Sequence, residues 1–430
     1  MQVTSDTGRT STVACQYIMR WTPDSKRFFF HRAASDDGSS KAGIWMCDVA
    51  DGFAISPVYE WDTTLVSHKP YDNTTTGKIA ETFVVNRDGR SLGVIVRNRD
   101  VIELCRVDVE SRKVETVMTA PAPLSTGWMI DNSADGMRVA FHIFLGDGRT
   151  EGAPWGVRIF DLQRGTTWVV ELDNLTHKGV MYRHGSTFCD SSEHAGMYDL
   201  VGHASGSPRL ADGSWRTPAD GSWRHPMPPA DTSGGHGYTI VFKDDGSDYP
   251  RRSDDPCRVI PLPRPPAYQT SHAGWRGAAT QSWVASMYNT TPQRWRAPFV
   301  EAWPTSITGA ERTADANPAD GKWTDLTRFV ARADACHFDF DASGRHFVSD
   351  TDGYVLPQTC MLYIGTYIEP TCGDDPYFKT KLLGIPRTSW KGQPAHPHPF
   401  LSPDGNYAVF QSDFTGRPQI NVAYGYGFPG

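Results

Sequence analysis

A recurring unit constrains the fold of this chain more than any other feature of its sequence. In each copy, a short turn rich in aspartate, serine and glycine is followed directly by a strand of β-branched and aromatic residues. Five clear copies begin at Trp21, Asn86, Asn132, Asp341 and Ser402. Asp-Gly-type turns between two such strands are typical of β-hairpins. A unit that recurs along a chain is typical of repeat architectures.

Two degenerate copies fill the gaps in this rhythm, at residues 181–185 and 272–275. Seven copies over 430 residues predict a seven-bladed β-propeller with four-stranded blades, closed by the terminal segments. Aromatic residues make up 12% of the chain, and long apolar helical stripes are scarce, which favours an all-β fold. We therefore expect residues 1–430 to form a single propeller domain.

Residues 204–266 interrupt the rhythm. This stretch contains a near-duplication, at 211–216 and 219–224, surrounded by many Pro, Asp and Gly residues. We predict that 204–266 is a long surface insertion between blades four and five. Loops of this length in compact proteins often form lids or binding walls.

The charge pattern excludes some classes of partner. The net charge of −7 is scattered, and no block of lysine or arginine indicates a nucleic-acid partner. No apolar run reaches the length of a membrane span. The N-terminal residues lack the apolar core of a signal peptide. A cytoplasmic protein and a secreted or periplasmic one with its leader removed both stay open.

The segment from Gln393 to Pro399 carries the densest set of metal-ligating residue types. His396 and His398 are two residues apart, and in an extended chain both imidazoles would lie on one face. The intervening prolines favour an extended backbone at a sheet edge, because they lack ladder donors. Gln393 can add an amide oxygen. Two imidazoles and one amide oxygen suit a first-row transition metal.

Other polar residues are expected to converge on the same cavity. In a propeller, the first strand of each blade lines the central channel, so residues just before the turns come together. His337 precedes the turn of the sixth blade and His272 that of the fifth, while Arg183 lies near the start of the fourth. These neighbouring blades would place their polar groups beside His396 and His398.

The C-terminal motif has a recognisable counterpart. Gln-x-x-His-Pro-His-Pro, followed by Ser-Pro-Asp-Gly and by Phe410-Gln411-Ser412-Asp413 with Gly416, resembles the last blade of the oligogalacturonide lyases. These are seven-bladed propeller polysaccharide lyases with a divalent metal in the central channel. The resemblance implies a metal, manganese first and zinc or calcium as alternatives. It also implies the ligands, which are Gln393, His396, His398 and, from the preceding blade, His337.

The resemblance also implies catalytic and substrate-binding residues. The family's base is a histidine one blade earlier, which corresponds to His272. An arginine after a tyrosine corresponds to Arg183, and Tyr182 and Trp275 would contact the substrate. An acidic family stretch that follows this arginine is replaced here by residues 189–194, which leaves the exact substrate open.

The implied activity is that of a polysaccharide lyase that cleaves a uronate-containing acidic oligosaccharide by β-elimination. Removing the proton at C5 requires neutralisation of the adjacent carboxylate and a nearby base, which a metal, an arginine and a histidine can supply. Two alternatives stay open. The polymer could be ulvan or a rhamnose-glucuronate glycan, or the chain could be a non-catalytic sugar-binding propeller with a structural metal.

Overall fold

The structure of the protein is a computed structural model. It describes residues 1–6, 8–13, 20–61, 78–123, 125–133, 135–144, 155–172, 179–181, 196–200, 238–242, 244, 268–277, 283–289, 299–302, 323–325, 335–351, 360–369, 371, 376–391 and 393–430. The regular elements in these ranges are strands, apart from a short 3-10 helix at Gln393–Ala395. None of the described helical residues forms a helix long and apolar enough to cross a membrane.

Three antiparallel sheets of four strands open the chain. The first contains β1 (Ser11–Thr12), β2 (Arg27–Arg32), β3 (Ala42–Asp48) and β4 (Ala54–Trp61). The second contains β5 (Lys78–Val85), β6 (Ser91–Asn98), β7 (Val101–Asp108) and β8 (Val114–Pro121). The third contains β9 (Ser125–Asn132), β10 (Arg138–Phe144), β11 (Trp155–Asp161) and β12 (Thr166–Leu172).

Four further sheets follow, each with its strands in chain order. The fourth contains β13 (Gly179–Met181), β14 (Gly196–Leu200) and β15 (Tyr238–Phe242). The fifth contains β16 (Tyr268–Trp275), β17 (Trp283–Asn289), β18 (Phe299–Ala302) and β19 (Trp323–Asp325). The sixth contains β20 (Ala335–Phe340), β21 (His346–Thr351), β22 (Leu362–Ile368) and β23 (Tyr377–Gly384). The seventh contains β24 (Phe400–Leu401), β25 (Tyr407–Ser412) and β26 (Gln419–Tyr424).

The sheets follow one another in a ring, as the blades of a propeller do. The first strands of neighbouring sheets pack together, β5 on β9, β9 on β13, β16 on β20 and β20 on β24. The hairpin turns also touch their neighbours, through Ser25 and Asp404, Arg87 and Asn132, Arg276 and Gly344, and Ala342 and Pro403. The predicted all-β, seven-bladed propeller is therefore confirmed.

The N-terminal residues close the ring by joining the last sheet. Gln2 forms a bridge with Asn421 of β26, and the backbone N–H of Val3 donates to the carbonyl of Ile420 at 2.8 Å. The N-terminal ammonium donates to the carbonyl of Val422 at 2.7 Å. Closure of this kind satisfies backbone groups that an open edge strand would expose.

The core lies between successive sheets, and one run of three phenylalanines shows how it is built. Phe28 and Phe30 of β2 pack with Phe400 of the seventh sheet, whereas Phe29 packs with Phe83 of the second. Side chains alternate between the two faces of a strand, so one strand can serve both interfaces. Each fully buried phenylalanine contributes about 1.5–3 kcal/mol of hydrophobic stabilisation.

The stretch predicted to be an insertion, 204–266, contains one strand of the propeller. Residues Tyr238–Phe242 form β15, the third strand of the fourth sheet. Asp244 follows β15, and its carboxylate accepts a hydrogen bond from Arg138 Nη1 at 2.7 Å. The inserted sequence is therefore not wholly outside the blades. The remaining residues of 204–266 lie outside the described ranges, so the predicted insertion between blades four and five is not tested there.

Gly277 is expected to be essential for the contact between blades five and six. Its φ is +66°, and a Cβ there would lie 2.3 Å from the backbone nitrogen of Gly344. Gly277→Ala should lower the free energy of unfolding by about 1–2 kcal/mol for the left-handed backbone, with about 1–3 kcal/mol more for crowding. Gly165→Ala is the control, since Gly165 has a φ of +63° and nothing within 4 Å. Equal losses in the two variants, measured by denaturant unfolding, would contradict the crowding argument.

Candidate metal centre

His337 lies on the inner strand of the sixth blade, at an irregularity in the ladder. The register of β20 against β21 shifts between Ala335 and Phe338. The carboxylate of Asp350, on β21, accepts two hydrogen bonds from this histidine. One comes from the backbone nitrogen at 2.7 Å and one from ring atom Nδ1 at 2.8 Å. Because Nδ1 is engaged in this way, Nε2 is the ring nitrogen through which His337 could ligate a metal.

His396 and His398 lie between the 3-10 helix at Gln393–Ala395 and the start of β24. The sequence predicted an extended segment here, and that prediction was wrong. The backbone has helical turns up to Ala395, and His398 has a φ of +43°. Proline residues carry no N–H for a sheet ladder, so this segment is free to turn before the strand begins. The segment instead leads into β24, which pairs with β25 at the end of the described sheet.

Gln411 of β25 holds the histidine segment in place. Its Nε2 donates to the carbonyl of Pro394 at 3.0 Å and to that of His396 at 2.7 Å, and it lies 3.2 Å from Nδ1 of His398. Its Oε1 accepts a hydrogen bond from the backbone nitrogen of Val13, in the first blade, at 2.8 Å. This fully buried amide therefore joins the first blade to the histidine segment.

The three imidazoles form one buried cluster. The ring centroids of His337 and His398 are 4.3 Å apart, and those of His337 and His396 are 5.5 Å apart. One ligand atom from each ring lies within 4.8 Å of the others, and all three side chains are almost completely buried. Three neutral nitrogen donors at this spacing fit a divalent transition metal such as zinc, iron or manganese better than calcium, which prefers oxygen ligands.

A hydrogen bond near the cluster fixes the two strands that carry it. Asp339 of β20 accepts a hydrogen bond from the backbone nitrogen of Leu401, in β24, at 3.0 Å. Burial raises the pKa of Asp339 to about 7, while the hydrogen bond from Leu401 works in the opposite direction. The bond joins the inner strands of blades six and seven, two residues after His337 and three after His398.

The backbone register places His272 at the same position as two members of the cluster. In each of three blades, a histidine stands three residues before the last paired residue of the inner strand. These histidines are His272, His337 and His398. The last paired residues are Trp275, Phe340 and Leu401. The ladder of β16 also shifts its register around His272, between Thr270 and Ala273, as β20 does around His337. Three consecutive blades therefore carry a histidine three residues before the last paired residue of the inner strand.

The other predicted site residues divide into two groups. The backbones of Gln393 and Trp275 are placed in the 3-10 helix and in β16, but their side chains lie outside the described part of the chain. Tyr182 and Arg183 follow directly after β13 and lie wholly outside the described residues. Their predicted roles stay predictions.

Sequence reasoning missed three residues around the cluster, namely Asp350, Gln411 and Trp390. Gln411 lies in the C-terminal motif that carries the family resemblance, but the resemblance gave it no role. Trp390 stacks on His396, with centroids 4.2 Å apart. A contact between side chains of different strands leaves no local signal in the sequence, so only the fold reveals it.

Removing the carboxylate of Asp350 should weaken metal binding. We expect Asp350→Asn to raise the dissociation constant for a divalent metal by about 10–100-fold, the range typical for groups that orient a histidine ligand. Competition against a chromophoric chelator measures this change. An unaltered affinity in a folded variant would contradict a ligand role for His337.

The fold and the site together define a seven-bladed β-propeller with a buried cluster of three imidazoles between its sixth and seventh blades. No protein-family model matches this chain, and no curated protein matches it. The similarities are therefore to solved structures.

The chain has the fold of the oligogalacturonate lyases. It matches a structure of an oligogalacturonate lyase in complex with manganese at a TM-score of 0.64 and 17% identity, over 98% of this chain and 92% of that one. It matches an oligogalacturonate lyase from Vibrio parahaemolyticus at a TM-score of 0.64 and 14% identity, over the same shares of the two chains. The family resemblance of the C-terminal motif is thus confirmed at the level of the fold.

The chain is also similar to a propeller domain from a protease. The β-propeller domain of the Trilobed protease from Pyrococcus furiosus matches at a TM-score of 0.50 and 9% identity, over 97% of this chain and 98% of that one. The fold alone therefore does not determine the reaction.

Proposed function

We propose that this protein is a metal-dependent lyase that cleaves a uronate-containing oligosaccharide by β-elimination. The observation that carries the proposal is the buried cluster of His337, His396 and His398. It occurs in a propeller whose overall fold is that of an oligogalacturonate lyase known in complex with manganese. An oligogalacturonide-like acidic oligosaccharide is the proposed substrate.

His337, His396 and His398, with Gln393 beside them, would hold the metal. Manganese is the proposed ion, with zinc and calcium as alternatives. When bound, the ion supplies positive charge that neutralises the uronate carboxylate and stabilises the charge that develops on it. The nearly complete burial of the three imidazoles keeps water from competing for their nitrogen atoms.

The chain's own residues supply the proton transfer. His272 is the proposed base and takes the proton from C5 of the uronate. The electron pair of the C5–H bond then forms the C4–C5 double bond, and the bond from C4 to the glycosidic oxygen breaks. The departing oxygen takes a proton from solvent. Arg183 is proposed to pair with the carboxylate, and Tyr182 and Trp275 to contact the sugar rings.

The position of His272 supports its assignment as the base. It stands three residues before the last paired residue of its inner strand, as His337 and His398 do, one blade before the cluster. A base must lie beside the ion-bound carboxylate without being a ligand itself, and a neighbouring blade meets that requirement.

A panel of uronate glycans tests the proposal. Oligogalacturonate, ulvan and a rhamnose-glucuronate glycan are each incubated with the protein, and the ultraviolet absorbance of the unsaturated product is followed. We expect absorbance to rise with at least one substrate and to stay flat after treatment with chelator. If absorbance rises only with ulvan or only with the rhamnose-glucuronate glycan, that polymer is the substrate instead of oligogalacturonate. No rise with any glycan, together with retained sugar binding, would favour the non-catalytic sugar-binding propeller instead.

A further inference from the structure

The three histidine rings of the cluster are oriented by three different contacts. The ring of His337 is held by the carboxylate of Asp350, and that of His398 lies beside the amide of Gln411. The ring of His396 lies flat on the indole of Trp390, with centroids 4.2 Å apart and planes 15° apart. Trp390 is only 3% exposed. The buried indole therefore restricts the movement of the His396 ring.

The loop that presents Trp390 has an unfavourable backbone conformation. Arg387 and Trp390 have φ values of +52° and +58°, which non-glycine residues rarely adopt. Such conformations persist only where surrounding contacts impose them, and they cluster at functional sites. Contacts around this loop must therefore impose its conformation.

Asp413 holds the loop. Its Oδ1 accepts a hydrogen bond from the backbone nitrogen of Ser389 at 2.7 Å, and its Oδ2 accepts one from the hydroxyl of Ser389. The hydroxyl of Thr388 lies 3.1 Å from Asp413 Oδ1 and also contacts the carbonyl of Ala395, next to His396. Asp413 follows β25, the strand that carries Gln411. One strand end therefore anchors both the histidine segment and the tryptophan that faces it.

We propose that Trp390 is a positioning residue for the metal, acting through His396. This inference rests on the proposed function, because it assumes a metal on the three histidines. Stacking limits rotation of the His396 ring out of its plane. The face of an indole also carries negative charge and attracts a cation, and a metal-bound imidazole is positively charged. Trp390 thereby favours the metal-bound state of His396.

The two effects predict a rank order among substitutions. Trp390→Leu keeps an apolar side chain but removes the aromatic face, so we expect about 10–100-fold weaker metal binding. Trp390→Phe keeps a smaller aromatic face, so its affinity should lie between that of the leucine variant and that of the wild type. Asp413→Asn should weaken binding in the same direction, because it loosens the loop.

The test measures manganese and zinc dissociation constants for these variants by competition with a chromophoric chelator. Trp61→Leu is the matched control, because Trp61 is 6% exposed and packs on His31 and Tyr59, in the core between the first and second blades. It should lose stability but keep the wild-type metal affinity. The ligand-field spectrum of bound cobalt is a second readout. It should shift in Trp390→Leu and stay unchanged in Trp61→Leu.

The outcomes separate this inference from the proposed function. If Trp390→Leu and Trp390→Phe bind metal as tightly as the wild type, the inference is wrong while the metal centre stands. If the wild type binds no metal, both are wrong. If Trp390→Leu does not fold, Trp390→Phe and Asp413→Asn decide, and wild-type affinity in both overturns the inference.

Discussion

His396→Ala should lose its divalent metal. Substitutions of groups that merely support a ligand weaken binding by about 10–100-fold, so loss of a ligand should exceed about 100-fold. His396 is 1% exposed and contributes one of three nitrogen donors within 4.8 Å of one another. Elemental analysis after gel filtration should find about one metal per wild-type chain and almost none in the variant.

The control for this prediction is a histidine that is equally buried but lies elsewhere. His142 of β10 is 2% exposed and belongs to the third blade. His142→Ala should keep a full equivalent of metal, even if it loses stability. Metal should also raise the unfolding temperature of the wild type and of His142→Ala but not that of His396→Ala, because only a bound ligand stabilises the native state. A full equivalent of metal in His396→Ala would show that His396 is not a metal ligand.

His272→Ala should fold, retain its metal and lose turnover by about 10²–10⁴-fold, the usual contribution of a general base. This residue stands three residues before the last paired residue of its inner strand, as His337 and His398 do, one blade away from the histidine cluster. A base that is not a ligand can be removed without releasing the ion. The effect should therefore appear in kcat, whereas metal content and unfolding temperature stay at wild-type values.

The pH profile gives a second check on His272. An imidazole base must be neutral to accept a proton, so kcat of the wild type should rise with pH across the range in which imidazoles titrate. That rise should disappear from the residual activity of the variant. A variant that keeps turnover within tenfold of the wild type would exclude His272 as the base. The alternative candidates would then be His177, His184 and His194, which lie in the sequence around the predicted start of the fourth blade.

The propeller could be predicted because its blades are encoded locally. The turn at Ser402–Gly405 shows why. Ser402 donates its hydroxyl hydrogen to Asp404, Asp404 accepts the N–H of Asn406, and Gly405 adopts a φ of +74°. Such turns need particular residues in a fixed order. Each copy can therefore be recognised without knowledge of the rest of the chain.

The candidate metal centre was only partly predictable. His337, His396 and His398 are residue types with a characteristic chemistry, and their place before blade turns predicted that they converge. The backbone around His398 was predicted wrongly, because its φ of +43° depends on contacts such as those of Gln411. Strand β15 was missed for a similar reason. It lies in a stretch whose composition is typical of loops, and its pairing with β14 is visible only in the fold.

The most direct test of the account is a metal titration of the stripped protein, with product absorbance as the readout. Chelator-treated wild type should be inactive on its uronate substrate. Activity should return in proportion to added manganese, reach its maximum at one ion per chain and stay absent in His396→Ala. Full activity in the stripped protein, or equal recovery in His396→Ala, would contradict a catalytic metal held by this cluster.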